Sequence, residues 1–375
     1  MNTPKLRFKE FSGEWSLMTG DKIFETISDK KHNSDLPILA ITQEQGAIPR
    51  EFINYKISVT EKSVDSYKVV QKGDFIISLR SFQGGIEYSE YQGICSPAYI
   101  ILRNKIKIDD AFYKTYFKTD KYILKLNAKL EGIRDGKMIS YKYFSEIKLP
   151  YPTLPEQQKI ASFFTAVDQK LTVLKKKKEL LEQYKKGVMQ QIFSQKLRFK
   201  DENGNPFPEW EEKTLGKIAQ IYQPKTISQN EFSENGFDVY GANGIIGKYK
   251  EYNHLNSQIV VTCRGNTCGT INYTKPKSWI TGNAMVINLD SNLLIKKKFL
   301  YYQLKNANLN YLITGSGQPQ ITGSIKMHKI LIACYLEQQK IADFLSAIDN
   351  KIDTVAKQID KTEQWKKGLL QKMFV

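Results

Sequence analysis

The sequence predicts an α+β protein with two similar domains joined by two long antiparallel coiled-coil helices, in an internal pseudo-two-fold repeat. Three observations carry this prediction. A long segment occurs twice, each copy carries apolar residues at heptad spacing, and strand-like and helix-like segments fill the chain between the copies. At 375 residues the chain is also longer than a typical single domain. We therefore expect two modules, each followed by a long helix.

The repeat is clearest where the two helices are expected to begin. Residues 154–171 read LPEQQKIASFFTAVDQKL, and residues 336–352 read LEQQKIADFLSAIDNKI. The same register relates YKKGVMQQIF at 184–193 to WKKGLLQKMF at 365–374. A repeat of this period indicates a duplicated domain, because solenoid repeats are much shorter.

A second similarity lies upstream of each module. LRFKEFSGEW at 6–15 resembles LRFKDENGNPFPEW at 197–210, which carries a short insertion. The order is therefore module, helix, module, helix. The expected divisions are a first domain at 1–153, a first long helix at 154–195, a second domain at 196–335 and a second long helix at 336–375.

Both long segments have the pattern of a coiled-coil seam. Lys178 and Lys185 interrupt the first seam, and Thr362 interrupts the second. A helix of this length with an apolar stripe needs a partner, and we expect the two copies to pair; packing of each helix on its own module is the alternative. The predicted seam residues are Ile160, Phe164, Val167, Leu171, Leu174 and Leu181 in the first helix, and Ile341, Leu345, Ile348, Ile352, Val355 and Ile359 in the second.

The modules between the helices combine strands and helices. Short apolar, β-branched segments predict strands at 75–80 and 97–103 in the first module and at 258–264 and 284–289 in the second. Amphipathic helices are expected in corresponding places, at 111–126 and 297–312.

The charge of the chain indicates a polyanionic partner. Lys and Arg number 56 against 39 Asp and Glu, which gives a net charge of +17 and a pI near 9.4. This is the usual electrostatic signature of a nucleic-acid-binding protein. No apolar stretch is long enough to span a membrane, and the first residues have no apolar signal region. We expect a cytoplasmic protein.

The sequence lacks the common motifs of catalytic and metal sites. Gly136-Lys137 is followed by Met138, so it does not form a phosphate-binding loop. An adenine methyltransferase signature is also absent, since Asn205-Pro206 is followed by Phe207 in a polar turn. The four cysteines and three histidines have no metal-ligand spacing. We expect no catalytic residue, no metal and no cofactor in this chain.

Matched loops in the two modules favour DNA binding. Arg80 and Arg264 each follow a predicted strand and precede a glycine-bearing loop. Arginine can read guanine with two parallel hydrogen bonds, and Gln or Asn can read adenine in the same way. Surface ion pairs and ordinary turns are the alternatives for these arginines and loops. The predicted DNA-binding residues are Thr42, Gln43, Arg80, Ser81, Gln83, Arg134 and Lys137 in the first module, and Tyr240, Asn243, Arg264, Asn266, Gln318 and Gln320 in the second.

One combination of motifs resembles a known family. Gly-x-Gly-Gln-Pro-Gln-Ile at 315–321 is followed by a short strand, a Glu-Gln motif and a long helix, and the arrangement occurs twice, at 136–193 and 315–374. The chain in this respect resembles the specificity subunit of type I restriction–modification enzymes. The first copy has Gly136-Lys137-Met138-Ile139 in place of the Gln-Pro-Gln, and the second lacks the proline before its Glu-Gln.

The resemblance implies a division of labour between subunits. It implies two target-recognition domains that each read half of a split double-stranded DNA sequence, with spacer helices setting their separation. It also implies two modification subunits that carry S-adenosylmethionine and methylate adenine, and restriction subunits that translocate DNA. Two other functions stay open: a coiled-coil assembly protein without DNA readout, and a stand-alone DNA methyltransferase.

Overall fold

A computed structural model describes residues 2–32, 35–53, 64–128, 139–242, 244–315 and 317–375. The chain divides into two compact units. Unit 1 comprises Met1–Lys175 and Gln358–Val375, and unit 2 comprises Lys176–Lys357. Each unit therefore takes one end of each long helix.

Unit 1 is built from short antiparallel strands and short helices. Its strands are β1 Ser16–Thr19, β2 Phe24–Ile27, β3 Leu39–Thr42, β4 Gly46–Pro49, β5 Lys68–Val70, β6 Phe75–Ile77, β7 Glu87–Tyr88, β8 Gly93–Cys95, β9 Ile100–Asn104 and β10 Lys148–Tyr151. Its helices are α1 Gly20–Ile23, a 3-10 helix at Arg50–Phe52, α2 Ser81–Gly84, α3 Asp110–Tyr116, α4 Asp120–Asn127 and α5 Tyr141–Glu146. The first long helix, α6, spans Leu154–Phe193.

Unit 2 repeats this construction. Its strands are β11 Glu211–Thr214, β12 Gln220–Tyr222, β13 Phe237–Gly241, β14 Gly244–Tyr249, β15 Ile259–Thr262, β16 Ile271–Tyr273, β17 Trp279–Ile280, β18 Ala284–Asn288 and β19 Lys329–Ile332. Its helices are α7 Leu215–Ile218, α8 Lys297–Asn306 and 3-10 helices at Gln229–Glu231, Asn310–Leu312 and Gly323–Met327. The second long helix, α9, spans Tyr335–Met373.

The two units share one sheet topology. A four-stranded sheet has the order β2-β9-β6-β7 in unit 1 and β12-β18-β15-β16 in unit 2, with every neighbouring pair antiparallel. A two-stranded ribbon also recurs, β1 with β10 and β11 with β19. In each unit the ribbon's second strand leads directly into a long helix. The predicted α+β class and internal repeat are confirmed, because the duplication seen in the sequence recurs in the strand order.

Several predicted elements are shorter than expected. The strand predicted at 75–80 ends at Ile77, and the strand predicted at 258–264 ends at Thr262, so both arginines lie in loops beyond their strands. The helix predicted at 111–126 is two helices, because Thr119 caps the start of α4 by accepting a hydrogen bond from the Tyr122 amide. The helix predicted at 297–312 ends at Asn306 and is followed by a 3-10 turn.

Within unit 1 the beginning of α6 runs antiparallel to the end of α9. The Phe163 and Trp365 rings lie 5.8 Å apart. Further along α6, Asp168 pairs with Lys366 at 2.5 Å, and Lys175 pairs with Glu363 at 2.7 Å. The Phe164 ring also lies 5.9 Å from the Phe374 ring, just after the end of α9. From this contact to the Asp168–Lys366 and Lys175–Glu363 pairs, residue numbers rise along α6 and fall toward the start of α9, which is the antiparallel arrangement that the sequence predicts.

Within unit 2 the end of α6 packs against the beginning of α9. Val188, Met189 and Ile192 share one apolar core with Ile341 and Leu345. Of the twelve predicted seam residues, nine are buried and the other three are half-buried: Leu174, Leu181 and Ile352.

Lys185, one of the two lysines that interrupt the first seam, has an ionic partner on the other long helix. Lys185 is buried and pairs with Asp349, which also accepts a hydrogen bond from the Tyr302 hydroxyl at 2.6 Å. The repeat aligns Lys185 with Lys366 and Asp349 with Asp168. Each unit thus has the same lysine–aspartate pair between the two long helices. An ion pair at a seam position favours one register of the two helices.

A buried glutamate anchors the start of each long helix. In unit 1, Glu156 accepts hydrogen bonds from Arg7 at 2.7 and 2.8 Å and from the Trp15 indole at 3.1 Å. This carboxylate is completely enclosed apart from 2% of its side chain. It ties the segment before β1 to the first turn of α6, where the helix dipole also favours a negative charge.

Unit 2 contains the same arrangement, a buried glutamate bound by an arginine and a tryptophan, which we call a glutamate node. Glu337 accepts hydrogen bonds from Arg198 at 3.3 and 2.9 Å and from the Trp210 indole at 2.8 Å, and its side chain is 0% exposed. The neighbouring glutamine has a matching structural role in the two copies. Gln157 accepts a hydrogen bond from the Asp109 amide, and Gln338 accepts one from the Lys296 amide, so each fixes the segment just before helix α3 or α8.

Candidate nucleic-acid interface

Three predicted loops of unit 2 meet at one place. The hydroxyl of Thr262, at the end of β15, donates a hydrogen bond to the carbonyl of Ala242 in the β13–β14 hairpin. Just beyond, the Gly265 amide donates to the Pro319 carbonyl at 3.0 Å, and the Ile321 amide donates to the Cys263 carbonyl at 3.0 Å. The hairpin, the Arg264 loop and the Gln318-Pro319-Gln320 loop are therefore adjacent, although they are separate in the sequence.

The polar side chains at this junction face solvent. Arg264, Asn266, Gln318 and Gln320 are all exposed. Among the described residues the Arg264 guanidinium has no hydrogen bond or ion pair, whereas a surface ion pair was the alternative for it. Arg264 and Gln320 form an isolated antiparallel bridge, so the backbone fixes their relative position. One guanidinium and three amides are therefore available to an external ligand.

Tyr240 was predicted to bind DNA, and its burial argues against that role. The residue is 5% exposed, packs in a small core with Val260 and Val286, and its hydroxyl accepts a hydrogen bond from the Lys275 amide at 3.1 Å. The sequence indicates a glycine-rich loop here, but the structure has a β-hairpin, and residue 240 lies on its inward face. We assign Tyr240 to the support of the hairpin.

Unit 1 places two predicted loops together in the corresponding region. Thr42 is the last residue of β3 and Gly46 the first residue of β4, on either side of the hairpin turn. Arg80 lies after strand β6 and directly before helix α2. The Gln43 amide donates a hydrogen bond to the Arg80 carbonyl at 3.3 Å. A Cβ atom at Gly84 would lie 2.7 Å from the Gln43 side chain, so the two loops approach each other closely at this position.

Lys118 bridges these two loops through its ammonium group. Its ammonium group donates hydrogen bonds to the Gly84 carbonyl at 2.9 Å and the Gln43 carbonyl at 3.4 Å, and it pairs with Glu87 at 2.6 Å. Burial lowers the pKa of Lys118 and raises the pKa of Glu87, while their ion pair opposes both changes. No sequence pattern indicates Lys118, because its partners lie in two segments, around Gln43 and at Gly84–Glu87, that are distant from it in the chain.

The predicted residues of unit 1 divide into exposed and structural groups. Arg80 and Gln83 are exposed, and in the described part of the chain the Arg80 guanidinium has no partner. Ser81 is 1% exposed and accepts a hydrogen bond from the Ser78 amide at 2.9 Å, so its predicted contact with DNA is replaced by a role in the turn. The Thr42 hydroxyl likewise closes the hairpin by donating to the Gly46 carbonyl at 3.0 Å.

Some predicted residues lie outside the described residues. These are Arg134 and Lys137 of the first module and Asn243 of the second. The loop at 134–140 and the loop at 316–322 were matched in the sequence, and only Ile139, Ser140 and residues 317–322 of them are described.

The anchoring nodes could have been found from the sequence. Arg7 and Trp15 align with Arg198 and Trp210 in the upstream similarity, and Glu156 aligns with Glu337 in the helix repeat. The available signal was that both copies of the upstream segment contain the Arg and the Trp, and both copies of the long helix contain the Glu. Within the described ranges no His, Cys, Asp and Glu residues cluster as metal ligands, and no helix there is both long and apolar enough to cross a membrane.

A family model covers most of the chain. The model of the type I restriction modification DNA specificity domain matches residues 17–183 and again residues 208–364. The two matches correspond to the two copies of the repeat.

Relatives and solved structures agree with this match. The specificity subunit of the type I restriction enzyme MjaVIII from Methanocaldococcus jannaschii is 26% identical over 97% of this chain and 94% of its own length. The EcoprrI specificity subunit from Escherichia coli is 27% identical over 46% of this chain and 42% of its own length.

The crystal structure of a type I restriction–modification S subunit from M. genitalium has the same fold. It matches with a TM-score of 0.63 at 18% identity, over 100% of this chain and 99% of that one. A second structure, from work on complex assembly and conformational transition of the type I system, matches with a TM-score of 0.58 at 15% identity, over 97% and 98% of the two chains. With the duplicated sheet, the paired helices and the double family match, this chain belongs to the type I restriction–modification DNA specificity family.

Proposed function

We propose that this chain is the DNA-reading specificity subunit of a type I restriction–modification complex. The observation that carries the proposal is the repeated placement, beside amide side chains, of an exposed arginine that has no partner among the described residues. Arg80 follows β6 and Arg264 follows β15, which are equivalent strands of the duplicated sheet. Each unit would read one half of a bipartite double-stranded target, with residues 1–153 and 196–335 as the recognition domains.

The chemistry of the complex belongs, in this proposal, to other subunits. Two modification subunits would carry S-adenosylmethionine and methylate adenine, and restriction subunits would translocate and cut DNA. This chain would be non-catalytic and would hold the partners in the cytoplasm, where the cellular DNA lies. The long helices, which combine a buried seam with many exposed charges, support a role as the docking surface for partners.

Two competing functions are separated by simple measurements. A coiled-coil assembly protein without DNA readout would show no preference for any DNA sequence when bound to its partner subunits. A stand-alone methyltransferase would transfer labelled methyl groups from S-adenosylmethionine as the purified chain. The proposal predicts sequence preference in the complex and no methyl transfer by the chain alone.

Arginine variants test the readout directly. Methylated adenines would be mapped in cells that carry the complete system with Arg80→Ala or Arg264→Ala, and binding would be measured at two salt concentrations. If the arginine reads a base, its replacement should cost about 1–3 kcal/mol of binding free energy and relax the sequence preference at one position of one half-site. A phosphate-contacting arginine should weaken all sequences alike and lower the salt slope by about one.

Matched controls come from the repeat itself. Lys22 and Lys217 are exposed and occupy equivalent places in the short helices α1 and α7. Lys22→Ala and Lys217→Ala each remove one charge, and we expect both to retain the wild-type motif. If both arginine variants retain the wild-type motif and salt slope, these arginines do not contact DNA.

A further inference from the structure

The β13–β14 hairpin of unit 2 exposes two adjacent isoleucines. Ile245 is 49% exposed and Ile246 is 42% exposed. Most β-branched side chains in the sheets of this unit are buried, including Val239 and Ile280. Two neighbouring apolar side chains that face water next to a polar surface are therefore candidates for contact with a ligand.

The hairpin holds these side chains in defined positions. Tyr240 pairs with Ile245 and Val239 pairs with Gly247, so Ile246 is the extra residue of a β-bulge. Ile246 rests directly on Gly241, where a Cβ atom would lie 2.8 Å from the Ile246 Cδ1 atom. A bulge that redirects a side chain is a common device beside functional sites.

The hairpin that carries the isoleucine pair is hydrogen-bonded to the segment that carries Arg264. The carbonyl of Ala242, at the turn of the hairpin, accepts the hydrogen bond from Thr262, two residues before Arg264. Gln320 is bridged to Arg264 on the other side. An apolar contact, a guanidinium and an amide thus come from three adjacent segments of one unit.

Unit 1 has different chemistry in the corresponding hairpin. The turn between β3 and β4 consists of Gln43, Glu44 and Gln45, all exposed, with no apolar side chain among them. The two units therefore share an arginine loop but differ in the hairpin beside it. A protein that reads two different half-sites needs such a difference.

We propose that Ile245 and Ile246 contact the C5 methyl groups of thymine in the half-site read by unit 2. This inference rests on the proposed function. In the major groove thymine is the one base that presents a methyl group, and apolar side chains recognise it, while arginine recognises guanine and glutamine recognises adenine. Two exposed isoleucines are a small patch compared with the apolar centre of a stable protein–protein interface, which favours DNA over a protein partner.

Replacing thymine with uracil tests this contact, because uracil keeps the base pair and lacks only the methyl group. The complex of this chain with its modification subunits would be titrated with its target, taken from the methylated-adenine map. Two further duplexes would carry uracil in place of every thymine of one half-site or the other. We expect uracil in one half-site to weaken binding roughly fourfold for each contacted methyl group, and uracil in the other to have a smaller effect.

The double variant Ile245→Ala, Ile246→Ala identifies the side chains. It should bind the thymine target more weakly by a similar factor and should no longer distinguish thymine from uracil in that half-site. The matched control is Leu293→Ala, Leu294→Ala, since these leucines of the same unit are 82% and 75% exposed in the loop before α8. This control should retain full sensitivity to uracil.

Other outcomes overturn the inference. The assignment is wrong if the isoleucine variant retains uracil sensitivity, if uracil has no effect in either half-site, or if the variant fails to bind the modification subunits, since the pair would then be a protein contact. A complex that binds its target no better than shuffled DNA instead refutes the proposed function itself. Target preference that persists without an isoleucine-dependent uracil effect refutes only the methyl contact.

Discussion

The buried glutamate nodes offer the most direct test of how each unit is held together. Glu156→Gln keeps the size of the side chain but removes its charge. The glutamine can still accept one hydrogen bond, yet its amide group faces the Arg7 guanidinium, donor against donor. Arg7 is 13% exposed, so water cannot fully replace the lost carboxylate.

The expected loss differs between the two nodes. Hydrogen bonds to charged groups contribute about 1.5–3 kcal/mol, and breaking a buried ion pair costs about 3–5 kcal/mol. Glu156→Gln should therefore destabilise unit 1 by about 3 kcal/mol. Glu337→Gln should destabilise unit 2 by about 2 kcal/mol, because Arg198 keeps hydrogen bonds to Glu209 and to the Phe207 and Pro208 carbonyls.

Hydrogen exchange read by mass spectrometry would assign each effect to a unit. Peptides from Met1–Lys175 and Gln358–Val375 should lose protection in Glu156→Gln, and peptides from Lys176–Lys357 should lose it in Glu337→Gln. The control is Glu10→Gln, which removes an exposed ion pair with Lys159 and should leave the protection of both units close to that of the wild type. If Glu156→Gln is no more destabilising than Glu10→Gln, the buried glutamate does not hold unit 1 together.

Two further predictions concern the seam and the pH dependence. Leu174→Asp puts a charge at a half-buried seam position and should cost about 1–3 kcal/mol, whereas Val173→Asp, at a position 67% exposed, should change the free energy of unfolding by less than about 0.5 kcal/mol in a urea titration. Burial lowers the pKa of His254 and of His328, so the unfolded chain binds protons more readily. The contribution of these two neutral histidines to the stability of unit 2 should be fully present above the unfolded pKa near 6.5 and should be lost as the pH falls through the lower folded values. Thermal melts at pH 7.5 and 5.5 would check this, and equal melting temperatures would contradict it.

The architecture could be predicted from the sequence because its signals are periodic. A heptad stripe repeats over many turns, so single interruptions such as Lys185 do not obscure it. A duplicated segment as specific as EQQKIA, at 156–161 and 337–342, indicates a duplicated domain and excludes most other domain arrangements. The arginine loops were found for the same reason, since Arg80 and Arg264 occupy matched places in two copies.

Side-chain orientation at the candidate interface could not be read in this way. Ser81 and Tyr240 belong to residue types that serve equally well in a turn, in a core or at a DNA surface, and the structure buries both. The break between α3 and α4 likewise depends on the Thr119 cap, a local competition that an amphipathic pattern does not reveal.

The repeat, the paired helices, the charge and the DNA-reading class all follow from patterns that extend along the chain. A change at a single position does not remove such patterns. The convergence of the loops at Thr262 and Lys118, the partners of Glu156 and Glu337, and the exposure of Ile245 depend on segments distant in sequence. Contacts of that kind are fixed only when the sheets and helices pack, because burial and hydrogen-bond partners are properties of the folded chain rather than of any single segment.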